Sequence, residues 1–105
     1  MDTGPLRIVV SGMVAKVPYH GGATWAVLQY LLGLRRLGHD VYFVESVEPA
    51  DLQPDGAPLE RSRNAAYFQR VVQEFGLQEG AALVLANSET TVGLSYAELA
   101  DSVAL

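Results

Sequence analysis

Residues 7–45, RIVVSGMVAKVPYHGGATWAVLQYLLGLRRLGHDVYFVE, decide how the rest of the chain is read. Ile8-Val9-Val10 is a short β-branched run of the kind found in strands buried on both faces, and Ser11-Gly12 end it. Residues 14–23 form a long loop holding Pro18 and the pair Gly21-Gly22. Thr24 has the side chain of a helix N-cap, and the pattern predicts a helix over 25–37. On its wheel Val27, Tyr30, Leu31 and Leu34 share one face, and Gln29, Gly33 and Arg36 the opposite one. Trp25 and Leu32 lie beside that polar stripe, where they suggest either a contact surface for another domain or subunit or a patch over which the loop 48–59 folds. Gly38 supplies the left-handed residue that closes such a helix, and residues 41–44 form a second apolar strand. Strand, loop, helix, turn and strand make a parallel β-α-β unit. Its first loop falls at the carboxyl edge of the sheet, where α/β proteins bind ligands.

Working outward, Gly4-Pro5 makes residues 1–6 a loose leader, and residues 48–60 read as a flexible loop rich in proline and acids. A clean amphipathic helix over 61–75 follows, with Ala65, Phe68, Val71, Val72 and Phe75 inside, and Gly76 ends it. ALVLA at 82–86 is a third buried strand. Ser95 and Glu98 stand at the two positions of a capping box, so a last helix starts at Tyr96 and continues to the end at Leu105. The order β-α-β-α-β-α predicts an α/β, Rossmann-like parallel sheet of about three strands, with right-handed crossovers and helices on both faces in three layers. In the Rossmann order a fourth strand would cover the far side of the first. None is read here, so strand 7–13 exposes an apolar edge. The chain is therefore expected to be a partial domain, completed by a missing carboxyl-terminal part or by a second copy.

The 105 residues carry a net charge of −5 and are 50% hydrophobic, enough for one core. An acidic balance argues against nucleic acid as a partner, because phosphate contacts need clustered Lys and Arg. The basic clusters are Arg35-Arg36 and Arg61/Arg63, at positions a surface helix solvates. With no cysteine, disulfides, thiolate catalysis and zinc-thiolate sites are excluded, which fits a reducing cytoplasm. The amino terminus has no signal-peptide pattern, and no apolar run reaches the length of about 18 residues a membrane span needs. Glu48, Asp51 and Asp55 lack metal-ligand spacing, so no metal site is expected.

The end of the first helix, LRRLGHDVYFVE, carries a resemblance. An apolar helix closing in L-x-x-x-G-H-[DE]-V and entering a hydrophobic strand resembles the amino-terminal domain of two-Rossmann-domain (GT-B) glycosyltransferases. Their first strand is also followed by a glycine-containing loop. The resemblance covers about the first 45 residues well and the remainder in outline. It implies a parent protein that transfers a glycosyl group from a nucleotide-activated sugar, its donor substrate, with no other cofactor. It also implies that the amino-terminal domain holds a small-molecule or glycan acceptor, and that this chain alone is inactive. In inverting members a histidine in the loop after the first strand is the general base on the acceptor hydroxyl. His20 occupies a similar place, and an imidazole titrating near neutrality suits that task; the plain alternative is a solvent-exposed loop histidine.

Other residues read from chemistry alone. Backbone N–H groups at Gly21, Gly22, Ala23 and the helix start beyond Thr24 would face the crevice and, with the helix dipole, favour an anion such as a sugar-nucleotide phosphate. The plain alternative is a sharp turn into the helix. The dinucleotide fingerprint is absent, since G-x-G-x-x-G is not formed. Glu45, at the carboxyl end of the second strand, reads as a ribose-binding acid or as a solvated strand-end carboxylate. Asn87 and Ser88 follow the third strand and read as sugar ligands or as turn residues. His39 lies in the turn at the opposite edge and is structural. The rival function is a small flavodoxin-like, non-catalytic binding module or a self-associating one. A receiver domain is disfavoured, because Ser11-Gly12 and Asn87-Ser88 stand where its acids would be.

Overall fold

The computed structural model describes residues 7–12, 14–15 and 21–102; His20, the leader 1–6 and the expected continuation of the final helix over 103–105 lie outside the described residues. Strands β1 (Arg7–Val10), β2 (Asp40–Val47) and β3 (Ala81–Leu85) are parallel, and β4 (Thr91–Gly93) runs antiparallel to β3. The sheet order is β1-β2-β3-β4. Helix α1 (Gly21–Arg36) connects β1 to β2, α2 (Arg63–Glu74) connects β2 to β3, and α3 (Tyr96–Ser102) follows β4. The α/β class and the parallel pairing of the first three strands are as expected.

Period-2 alternation sorts the side chains of the sheet onto two faces. Val41, Phe43 and Val47 of β2 join Ala81 and Leu83 of β3 in one core, with Leu28 and Leu31 of α1 and Ala65, Phe68, Val71 and Val72 of α2. Phe43 and Phe68 stack with ring centroids 5.8 Å apart. The two long helices thus share one face of the sheet instead of being divided between both. The cause is geometric: two right-handed crossovers that move in the same direction along the sheet deliver their helices to the same side. Ala82 and Leu99 are fully buried as well, but outside that core.

The fourth strand corrects the expected count of three. Thr91-Val92-Gly93 is too short to show periodicity. It forms because a tight turn returns the chain beside β3, with Leu85 N–H donating to the Thr90 carbonyl at 3.0 Å. Gly93 is required there: its φ is +95°, and a Cβ would run into the Ala81 carbonyl oxygen. Since β4 pairs with β3, β1 stays at the edge of the sheet, as expected. The strand itself is not buried on both faces, however, and Val9 is 45% exposed.

Helix α1 also departs from its expected limits. It begins at Gly21, so Gly21 and Gly22 form its first turn instead of a loop, and Thr24 is inside the helix and not its cap. Its buried face is Thr24, Leu28 and Leu31, whereas Tyr30, expected in the core, is 73% exposed. This helix carries apolar residues nearly all the way round, so its wheel does not single out one face. In contrast, α2 buries Ala65, Phe68, Val71 and Val72 as its periodicity assigns, while Phe75, just past its end, is half-buried. Ser62 caps it by accepting from Ala65 N–H at 3.0 Å. Segment 48–60 holds a short 3-10 turn at Pro49–Asp51 and runs into another at Leu59–Arg61, and it sends Leu52 and Leu59 into the core.

Candidate functional site

The carboxyl ends of β1 and β2 meet the start of α1 over a cluster of buried polar side chains. Glu45, 1% exposed, points from β2 towards the helices, because its position shares the parity of Phe43 and Val47. Its Oε1 accepts from the N–H groups of Val14 and Ala15, each at 2.9 Å. Asn64, in the first turn of α2 and fully buried, donates from Nδ2 to the Ala15 carbonyl at 2.7 Å and to the Asp51 carbonyl at 3.0 Å. Its Oδ1 accepts from Gln53 N–H at 2.9 Å. Two side chains from β2 and α2 thereby clamp the loop that leaves β1 and tie it to segment 48–60. Buried backbone groups must find partners, and here side chains supply them.

This changes the reading of Glu45. It is not a solvated strand-end acid, since its carboxylate is turned into the core and holds the loop. Period-2 alternation could have placed it inside; what hid it was the general rule that acids are seldom buried. Asn64 and Tyr67 were not singled out by sequence at all. Tyr67 Oη lies 2.8 Å from Thr24 Oγ1, a buried hydroxyl pair that joins the second turn of α2 to the first turn of α1.

Gly21 and Gly22 are exposed at the start of α1, and a Cβ built on either would meet nothing within 4 Å. Neither glycine is required by packing. The N–H groups of Gly21, Gly22 and Ala23 precede the first i→i−4 bond of the helix and sit at the expected edge. Beside them a groove of about 380 Å³ runs between α1 and α2, with Trp25, 53% exposed, on one wall and Arg70 and Glu74 on the other. An exposed indole opposite charged hydrogen-bonding groups can stack on the apolar face of a sugar while they reach its hydroxyls.

Asn87 and Ser88 are not brought to this groove. Asn87 holds the left-handed position of the β3-β4 turn, with φ of 60°. Ser88 Oγ donates to the Leu85 carbonyl and accepts from Thr90 N–H, both at 3.0 Å. Both residues serve the turn, the plainer of their two readings. His39 lines a polar hollow at the amino edge with Arg35, Asp40 and Glu79, away from the carboxyl edge. Among the described residues no helix is long and apolar enough to cross a membrane. Comparison of the chain with protein-family models, with curated proteins and with solved structures finds no match.

Proposed function

We propose that this chain is the acceptor-side part of a cytoplasmic GT-B-like glycosyltransferase, which in its complete form uses a nucleotide-activated sugar. The observation that supports this is the groove between α1 and α2, with an exposed indole, Arg70 and Glu74 beside the start of α1. Aromatic-plus-polar walls suit a glycan better than a nucleotide, whose phosphates need more positive charge than one arginine. In this reading the clamp of Glu45 and Asn64 fixes where the loop after β1 leaves the sheet, and His20 on that loop acts as general base on the acceptor hydroxyl.

Two-dimensional amide NMR with a panel of methyl glycosides tests it. The expected result is saturable shifts at Gly21, Gly22 and the Trp25 indole N–H, lost in W25A, with no sugar transfer from any nucleotide sugar by the 105 residues alone. In the complete enzyme, His20→Ala is expected to lower turnover by roughly 10²–10⁴, the usual contribution of a general base. A chain indifferent to every glycoside, or one that transfers sugar unaided, would overturn the proposal. The first of these would favour the non-catalytic binding module instead.

A further inference from the structure

The outward face of α1 carries a stripe that the core does not use and of which the sugar groove takes only Trp25. Trp25, Gln29, Leu32 and Arg36 follow at helical spacing i, i+4, i+7 and i+11, so they line one side of the helix. With Gly33 and Arg35 they wall a shallow groove on the surface. Gly33 lies in the last turn of α1, exposed, and a Cβ built there meets nothing within 4 Å. Glycine is the poorest ordinary residue for that position, and neither a turn nor internal packing calls for it. What it provides is a notch in which another backbone can approach closely, between an indole and an arginine.

We propose that this face docks an acidic amphipathic helix of another protein chain. Charge decides the chemistry. The chain is acidic overall, yet two of its seven Lys and Arg residues stand together at this groove. Arg35 Nη1 donates to the carbonyls of Phe75 and Gly76, whereas Arg36 makes no ion pair among the described residues. A helix laid antiparallel over Gly33 brings its amino-terminal turn to Arg36. Carboxylates there pair with the guanidinium and also complement the partner's own dipole. Its apolar stripe then covers Trp25 and Leu32. A second copy of this chain fits worse: antiparallel pairing of α1 with itself sets Arg35 and Arg36 against the positive amino-terminal end of the opposite α1. An anionic membrane fits worse too, since surface binding takes clusters of about 4–8 basic residues.

Trp25 is the sole tryptophan, so its emission reports occupancy of this face directly. The probe is a synthetic helical peptide of about 18 residues, long enough to be helical, with a leucine stripe flanked by glutamates and no tryptophan. Its counterpart carries lysines in place of the glutamates. The glutamate peptide is expected to blue-shift Trp25 saturably and to bind at least roughly tenfold tighter than the lysine one. Arg36→Glu should reverse the preference. Gly33→Gln, which fills the notch with a better helix former, should weaken binding without lowering the melting temperature and without touching the groove beside Gly21. Equal binding of both peptides, no emission change, or a Gly33→Gln variant that binds like the parent would sink the idea. So would a blue shift that grows with protein concentration alone, which would identify a second copy, or one produced by phosphatidylserine vesicles.

Discussion

Val14 and Ala15 both direct their N–H groups to one buried carboxylate oxygen, so Glu45 is the residue on which the departure of the chain from β1 depends. Glu45→Ala strands two buried donors, at about 1–3 kcal/mol each, a large share of the roughly 5–15 kcal/mol that holds a domain together. Glu45→Gln keeps an acceptor oxygen for the two N–H groups and weakens the bonds by removing the charge. In urea denaturation the midpoint of E45Q should therefore fall slightly below that of the parent, and the midpoint of E45A far below both. The reverse order of the two variants would show that the carboxylate does not hold the loop. Gly93 makes the second case at this scale. Its positive φ and its contact with the Ala81 carbonyl leave no room for a side chain. Gly93→Ala should cost at least about 1–3 kcal/mol of strain and lower the melting temperature by several degrees. A melting temperature equal to the parent's would mean that the β3-β4 turn is not held as described.

At the scale of elements, α3 shows how a local signal becomes a measurable quantity. Ser95 N–H donates to Glu98 Oε1 at 3.0 Å and Glu98 N–H donates to Ser95 Oγ at 3.1 Å, so the capping box read from the sequence is formed. The backbone N–H of Ser95, and after it the Ser95 side chain, hold the Glu98 carboxyl below its ordinary value of 4.5. A carboxyl depressed in the folded state stabilises above its unfolded pKa, and that contribution is lost as the pH falls through the lower folded value. An acid titration followed at the Ser95 amide should therefore show a midpoint below 4.5, with Ser95→Ala moving it upwards; an unmoved midpoint would contradict the cap. The capping box and the periodicity of α2 were legible because each is carried by a few neighbouring residues. The burial of Tyr30 was misjudged because α1 is apolar on several sides, and tertiary packing, which no window of sequence contains, chooses among them. The clamp was hidden for a related reason. Glu45 and Asn64 are separated by a long connection, and only the fold brings them to the same loop.

For the whole molecule, the consequence of consecutive strand order is an uneven sheet. Both long helices lie on one face, so the other face carries Val9, Tyr42, Val44 and Val84 with only partial cover, and Val9 stands on the edge strand. Parallel sheets are ordinarily covered on both faces, and an open apolar edge invites pairing with another chain. Arg7 softens one end of this edge through its contacts with Asp40, at 3.5 Å, and with the Tyr42 ring, at 5.8 Å. Self-association through this face is therefore the expected behaviour of the chain at high concentration, and light scattering over a tenfold range should show the mass rising. Val9→Lys places a charge on the exposed side of β1 without removing a core residue, so it should hold the mass at that of one chain with little change in melting temperature. Because this face is remote from the stripe on α1, the emission of Trp25 should stay constant as the mass rises. A parent that remains a single chain throughout would show that the sheet face is not used in self-association; a mass that rises equally in the Val9→Lys variant would move the contact to another surface.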